Sequence, residues 1–390
     1  MDEPTVADRR RFGQYLRVVR EDRKLSLAAV EELTGAYPDP VTKSHLSRIE
    51  NGAAVPSFGK MFALSHVYGV PIAALAERFE IELLREVAVP QPAPTSPEDA
   101  LSRIERFRLQ GDYSAGIPFI SAAIEQFGSQ PGGNAKLIDD LRIHEISFLI
   151  HLERYELAKV RCEQLLGRAG IDPEQRVLTM LNFANCCYRL KRYTIAEMAL
   201  DQTEKELETG AYEPRIKAFH RSVRGRIQAS LGLHERAVAT YESAIELHIG
   251  ARNVFEACIA RLNLADSLIQ LGRLDDAAPH SRTAVQIADD GGYDRLKALG
   301  LSHLALISFR KGDLAAAESF ALRSNVIARS REFIVVVFRN CYYLREIARR
   351  RGDAGGVSQN ERTLRAYLAR VDADLPEAAE VRAELAGGDR

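Results

Sequence analysis

Apolar side chains recur at helical spacing along nearly the whole chain, and no stretch alternates apolar and polar residues convincingly. The pattern predicts an all-α protein. Five helices are expected before residue 89. The first runs from about Asp8 to Lys24, with Phe12, Leu16 and Val19 on one face. The second follows Ser26 and carries Leu27, Val30 and Leu33. The third runs from Thr42 to Gly52, with Leu46 and Ile49 facing inward. The fourth follows Ser57 and carries Met61, Leu64 and Val67. The fifth follows Val70-Pro71, where proline fits a first turn. Ser26 and Thr42 have the side chains that accept a hydrogen bond from a free N–H at a helix start. Then comes Pro90-Gln91-Pro92-Ala93-Pro94-Thr95-Ser96-Pro97, which excludes a helix and favours an extended, semi-rigid spacer. The expected organisation is a domain over 1–89, a linker over 90–98 and a helical repeat domain over 99–386.

The longer region repeats itself. A turn signature begins at Gly111, Glu153, Lys191, Gly232, Gly272, Gly312 and Gly352, every 38 to 42 residues. A regular period of this length signals a helical solenoid, here of about seven helix pairs. Small residues sit five positions later: Gly116, Ala158, Ala196, Ala237, Ala277 and Ala317, with Val357 in the least regular unit. A second small position follows at Ala123, Ala244 and Ala284. Small side chains there let two helices approach closely, while Ile120 and Tyr241 fill the layer between.

Composition narrows the function classes. The net charge is −1, so any nucleic-acid binding must come from a local patch. The five cysteines are odd in number and lack CxxC spacing, which points to small core residues in a reducing compartment. No apolar run is long enough to span a membrane, and the first residues lack a basic-then-apolar segment, so a cytoplasmic location is expected. The nine histidines are scattered, and no GxSxG, GxxxxGK[ST] or HExxH set occurs. No enzyme activity, metal or cofactor is expected.

The N-terminal segment resembles the Cro/C1-type (XRE-like) helix-turn-helix family. The resemblance rests on Leu46-Ser47-Arg48-Ile49-Glu50-Asn51-Gly52, Pro56-Ser57, Leu64 and Tyr68-Gly69-Val70, with Leu16, Arg20, Leu25-Ser26 and Val30 in the same frame. It implies a five-helix, lambda-repressor-like domain that binds double-stranded DNA through the third helix. Ala36-Tyr37-Pro38-Asp39-Pro40 departs from the family by about five residues, in a normally short turn; it is read as a stiff surface loop. With Leu46 and Ile49 inward, Lys43, Ser44, Ser47 and Arg48 fall on the outward face, where a helix in the major groove reads base edges. Thr42 and Asn51 suit phosphate contacts. Glu50 is expected to pair with Arg20 or Arg17. Ten Lys/Arg against six acids lie between Arg9 and Lys60, and the Arg9-Arg10-Arg11 run can reach a flanking phosphate.

The repeats resemble the tetratricopeptide repeat over about residues 100 to 370, most clearly in Leu231–Leu247. The period exceeds the usual one because each helix is longer. A DNA-binding head with such a tail resembles the RRNPP-type peptide-sensing regulators. That resemblance implies a homodimer and a peptide or protein effector held by the first helix of each pair. Candidate contacts are Asn182, Asn185, Arg189, Arg226, Asn263 and Asp266, followed by Ser302, Arg339, Tyr342 and Glu346. An amide side chain suits a peptide backbone because it donates and accepts. Two readings stay open: a one-component transcription regulator, or an interaction scaffold with an accessory helix-turn-helix head.

Overall fold

The computed structural model of the chain describes residues 6–87, 91–129, 134–371 and 375–388. The first residues, read above for a signal segment, and Pro90 of the linker lie outside the described residues. All described elements are helical. The fold separates into two compact units, Met1–Thr209 and Gly210–Arg390.

The first unit opens with α1 (Val6–Asp22), α2 (Leu27–Thr34), α3 (Lys43–Glu50), α4 (Phe58–Tyr68) and α5 (Ile72–Val87). Helix α1 ends two residues before the expected Lys24, because Lys24 takes a left-handed φ of 55°. Ser26, Thr42 and Ser57 cap the next three helices, each side chain accepting from the N–H three residues on. Phe12, Leu16, Val30, Val41, Leu46, Ile49, Leu64 and Tyr68 close the core among these helices. Three helix pairs follow: α6 (Pro97–Gln110) with α7 (Tyr113–Gly128), α8 (Ala135–His151) with α9 (Tyr155–Leu166), and α10 (Pro173–Arg189) with α11 (Tyr193–Thr209).

The second unit continues with α12 (Pro214–Ser230) and α13 (His234–Gly250), α14 (Val254–Gln270) and α15 (Leu274–Asp290), α16 (Asp294–Arg310) and α17 (Leu314–Ser330), and α18 (Ile334–Arg351) and α19 (Ala354–Tyr367). A last helix, α20 (Pro376–Gly388), has no partner within a pair.

The turn signature has one physical cause. All seven of its first positions take positive φ, from 59° at Lys191 to 82° at Gly312. This left-handed residue stops the first helix and turns the chain back. Glycine adopts it without strain, so five turns use it, while Glu153 and Lys191 bear the strain of a side chain there. The small positions are equally direct. Ala158, Ala196, Ala237, Ala277 and Ala317 are fully buried, and a Cβ added to Gly116 would lie 2.2 Å from the Phe148 ring. Val357, at the irregular seventh position, is only half-buried. All five cysteines are buried and unpaired.

Two histidines of the second unit are buried as neutral rings. His248 Nε2 lies 3.0 Å from Ser222 Oγ, and burial pushes its pKa down to about 4. Burial does the same to His303, which sits 4.0 Å from Asp266 with Arg339 also near, and its pKa is about 4. Unfolding returns both rings to about 6.5. As the pH falls below that value the unfolded chain takes up protons first, so stability present at neutral pH is lost between about 6.5 and 4. Each ring accounts for a loss on the order of 3 kcal/mol across that window. The urea midpoint of this unit should therefore fall from pH 7 to 5, and less so in the His248→Gln, His303→Gln variant. Equal falls in both proteins would refute the assignment.

Candidate nucleic-acid interface and repeat surface

Helix α3 presents two distinct faces. Leu46, Ile49 and Glu50 are buried, whereas Thr42, Lys43, Ser44, Arg48 and Asn51 are exposed and Ser47 is half-exposed. The six proposed DNA contacts therefore share one outward surface. Thr42 Oγ1 accepts from the His45 N–H at 3.3 Å, fixing the helix start. Asn51 Nδ2 donates to Ser47 O at 2.8 Å and holds the other end. His45 lies half-buried on the flank, and its pKa is pushed down by burial and by Lys60 and Arg48.

Glu50 pairs with Arg20 rather than Arg17. Arg20 Nε donates to Oε1 at 2.6 Å and Nη2 to Oε2 at 2.9 Å. Arg17 instead pairs with Glu21 one helical turn along. The two-pronged bond ties α1 to α3 from inside the core.

The charge count of the head shrinks once partners are assigned. Arg11 faces Glu125 at 3.7 Å, so this member of the arginine run points at α7. The side chains of Arg9 and Arg10 lie outside the described residues. Lys60 pairs with Asp39. Lys43 and Arg48 carry no ion pair among the described residues, which leaves them as the free cations of α3.

The loop over 36–40 is pinned to α4. The Asp39 carboxylate accepts from Ser57 and Lys60, and these partners hold it below the usual carboxylate range. Tyr37 packs edge-on against Phe62, with ring centres 6.1 Å apart. Thr34 Oγ1 accepts from Val41 N at 3.1 Å and closes the loop's far end.

Helix α5 fastens the head to the second helix pair within the same unit. Glu77 Oε2 accepts from the Leu157 N–H at 2.8 Å, capping α9, whose own first residues supply no side-chain cap. Burial pushes the Glu77 carboxyl up, against the pull of that N–H and Arg154. Arg154 pairs with Glu80. The guanidinium groups of Arg78 and Arg161 lie 5.5 and 5.7 Å from the centre of the Tyr15 ring. Val160 joins the head's own core. The proline segment is also held: Arg103 donates to Pro92 O at 2.9 Å and Gln126 to Pro94 O at 3.0 Å. Its described residues are therefore bound along α6 and α7, and are not a free spacer.

Comparison with known families agrees with this geometry. A family model described as a helix-turn-helix domain matches residues 11–78, and a tetratricopeptide-repeat model matches residues 223–247. The chain joins a helix-turn-helix domain to tetratricopeptide-like repeats. Solved structures share the helical-repeat fold. NprR in complex with its cognate peptide NprX is 14% identical, with a TM-score of 0.52 over 76% of this chain and 84% of that one. A Rap protein complexed with competence and sporulation factor is 13% identical, with a TM-score of 0.51 over 96% and 94%. The apo form of RapI is 11% identical, with a TM-score of 0.53 over 73% and 79%. At these identities the likeness is one of fold. A search of curated proteins gives no match.

The proposed effector contacts on the repeats are unequal. Asn182 is 5% exposed and so presents little to a ligand, whereas Asn185 is half-exposed on the same helix α10. Arg189 stacks over the Tyr155 ring at 5.0 Å and donates to its hydroxyl at 2.8 Å. In the second unit Arg226, Asn263 and Asp266 are half-exposed on α12 and α14, with Asp266 beside buried His303. Ser302 is buried. Arg339 and Tyr342, read as open groove positions, are engaged by α20 instead. Sequence reasoning missed that helix and the α5–α9 joint, because neither belongs to the repeat pattern. Among the described residues no His/Cys/Asp/Glu group can hold a metal, and no helix is long and apolar enough to cross a membrane.

Proposed function

We propose that this protein is a sequence-specific DNA-binding transcription regulator whose repeats respond to a peptide or protein partner. One observation carries the reading: α3 buries its apolar face and its acid, and presents Lys43, Ser44, Ser47 and Arg48 between the exposed Thr42 and Asn51, which suit phosphate contacts. A helix of this kind fits the major groove, and its two unpaired cations can donate to guanine edges or phosphates. The repeat fold, shared with a structure that holds a peptide, supports effector contacts at Asn185 and Arg189 on α10 of the first unit, where Asn182 is buried, and separately at Arg226, Asn263 and Asp266 on α12 and α14 of the second. A single small head reads few bases, so a homodimer on paired half-sites completes the proposal.

The test begins with selection of the preferred site from genomic fragments. The Lys43→Ala, Arg48→Ala variant should bind that site about 10- to 100-fold more weakly, with a shallower salt dependence. Its helical content and melting temperature should match the parent's. Binding that shows no preferred site once salt is raised would favour the interaction-scaffold reading and refute this one.

A further inference from the structure

The last helix carries an acidic stripe. Glu377, Glu380 and Glu384 fall three and four residues apart along α20, which places them on one face. All three meet α18. The Tyr343 hydroxyl donates to Glu377 Oε1 at 2.7 Å, and Arg339 Nε lies 3.6 Å from Glu377 Oε2. The Tyr342 hydroxyl donates to Glu380. Arg345 grips Glu384 with both terminal nitrogens, at 2.8 and 3.1 Å, and Arg349 joins at 3.2 Å. The contacts advance together along the two helices, so α20 runs in the same direction as α18.

The apolar side of α20 buries Ala378 and Val381 in a cluster with Leu364 and Val371, and Leu385 packs against it. Beside them a cavity of about 510 Å³ stays open between α18, α19 and α20, lined by Arg345, Arg349, Arg365, Glu361 and Glu384 with Leu364, Val381 and Leu385. That pocket is an open groove, with Arg349, Arg365 and Glu384 exposed around it. Along it α20 is held by carboxylates on a surface of arginine and tyrosine. That surface needs negative charge. Arg345 is 2% exposed beneath α20 and pairs with two carboxylates, Glu384 of α20 and Glu346 of its own helix. Exchanging one acidic helix for another keeps the charge paired throughout.

We propose that the arginine–tyrosine face of α18 is a docking site for an acidic amphipathic helix of a partner protein, and that α20 is the resident ligand which such a helix displaces. The partner's recognition element is a helix with carboxylates at i, i+3 and i+7 and small apolar residues beside them. The proposal stands on the second unit alone and is independent of the DNA-binding reading.

The full chain tests it, with a labelled synthetic peptide of residues 375–388 as probe and the same peptide carrying Gln at 377, 380 and 384 as control. The chain with Glu377→Gln, Glu380→Gln and Glu384→Gln should bind the acidic peptide about tenfold more tightly than the parent does. It should not bind the control, and added salt should weaken the complex. Equal binding by parent and variant would overturn the proposal. Release of α20 that yields only dimers of the chain would also overturn it, by showing the occupant to be a second copy. Should the variant fail to fold, hydrogen exchange on the parent decides. Amides of α20 are expected to exchange about tenfold or more faster than those of α18. Equal protection would make α20 a structural cap and end the proposal.

Discussion

Glu50→Ala should cost the head about 3–5 kcal/mol, the usual result of removing one partner of a buried ion pair. Arg20 is the reason. Its guanidinium donates to both Glu50 oxygens and to Leu25 O at 2.9 Å, and its side chain is only 10% exposed. Without the carboxylate, a charged group stays in the core between α1 and α3. Replacing both residues with methionine should recover most of the loss, because no charge then remains to be desolvated. Urea unfolding followed by hydrogen exchange in α1 and α3 measures both effects. DNA affinity should fall with the stability of α3. A loss below about 1 kcal/mol would be the behaviour of a surface pair and would contradict the burial seen here.

The second large effect is expected at Gly13. A Cβ built there would lie 2.1 Å from Ile49 O and 2.8 Å from the Glu50 carbonyl carbon. Both are backbone atoms of α3, so no rotamer change relieves the contact. Gly13→Ala must push α1 and α3 apart. The expected cost is about 3 kcal/mol, larger than the roughly 1 kcal/mol that alanine gains over glycine as a helix former. Gly128→Ala is the control, since its added methyl would meet Ile138 at an ordinary 3.8 Å. Thermal unfolding should separate the two variants clearly. If both melt with the parent, the close crossing of α1 and α3 is wrong.

These two predictions differ in how far the sequence led to them. The Arg20–Glu50 pair was one of two options left by helix spacing. Choosing between Arg17 and Arg20 required knowing which side of α1 faces α3. Gly13 carried no signal at all, since a glycine inside a helical pattern reads as a small propensity penalty. Its role exists only because two backbones cross there. The caps at Ser26 and Thr42 were legible because a cap bonds within its own helix start. The seven turns were legible for the same reason.

Function-bearing surfaces follow the same division. The outward set on α3 follows from the positions of Leu46 and Ile49, three residues apart. The count of basic residues around it could not include Glu125, the partner of Arg11, which lies far outside the counted stretch. The reading of Arg339 and Tyr342 as open groove positions failed because α20 returns to cover them.

The sequence by itself determined the helical class, the turn positions, the small-residue contacts within pairs and the polar face of α3. Each depends on residues a few positions apart, where backbone geometry dictates the neighbours. The tertiary structure alone decided that α5 fastens the head to α9 through Glu77, that the described part of the proline segment is held along α6 and α7, and that an acidic last helix sits on α18. Apart from Arg103 on Pro92, 11 positions away, those contacts join residues 30 or more positions apart. No local period encodes them. They arise only when packed helices bring unpaired charges and free backbone donors within reach of one another.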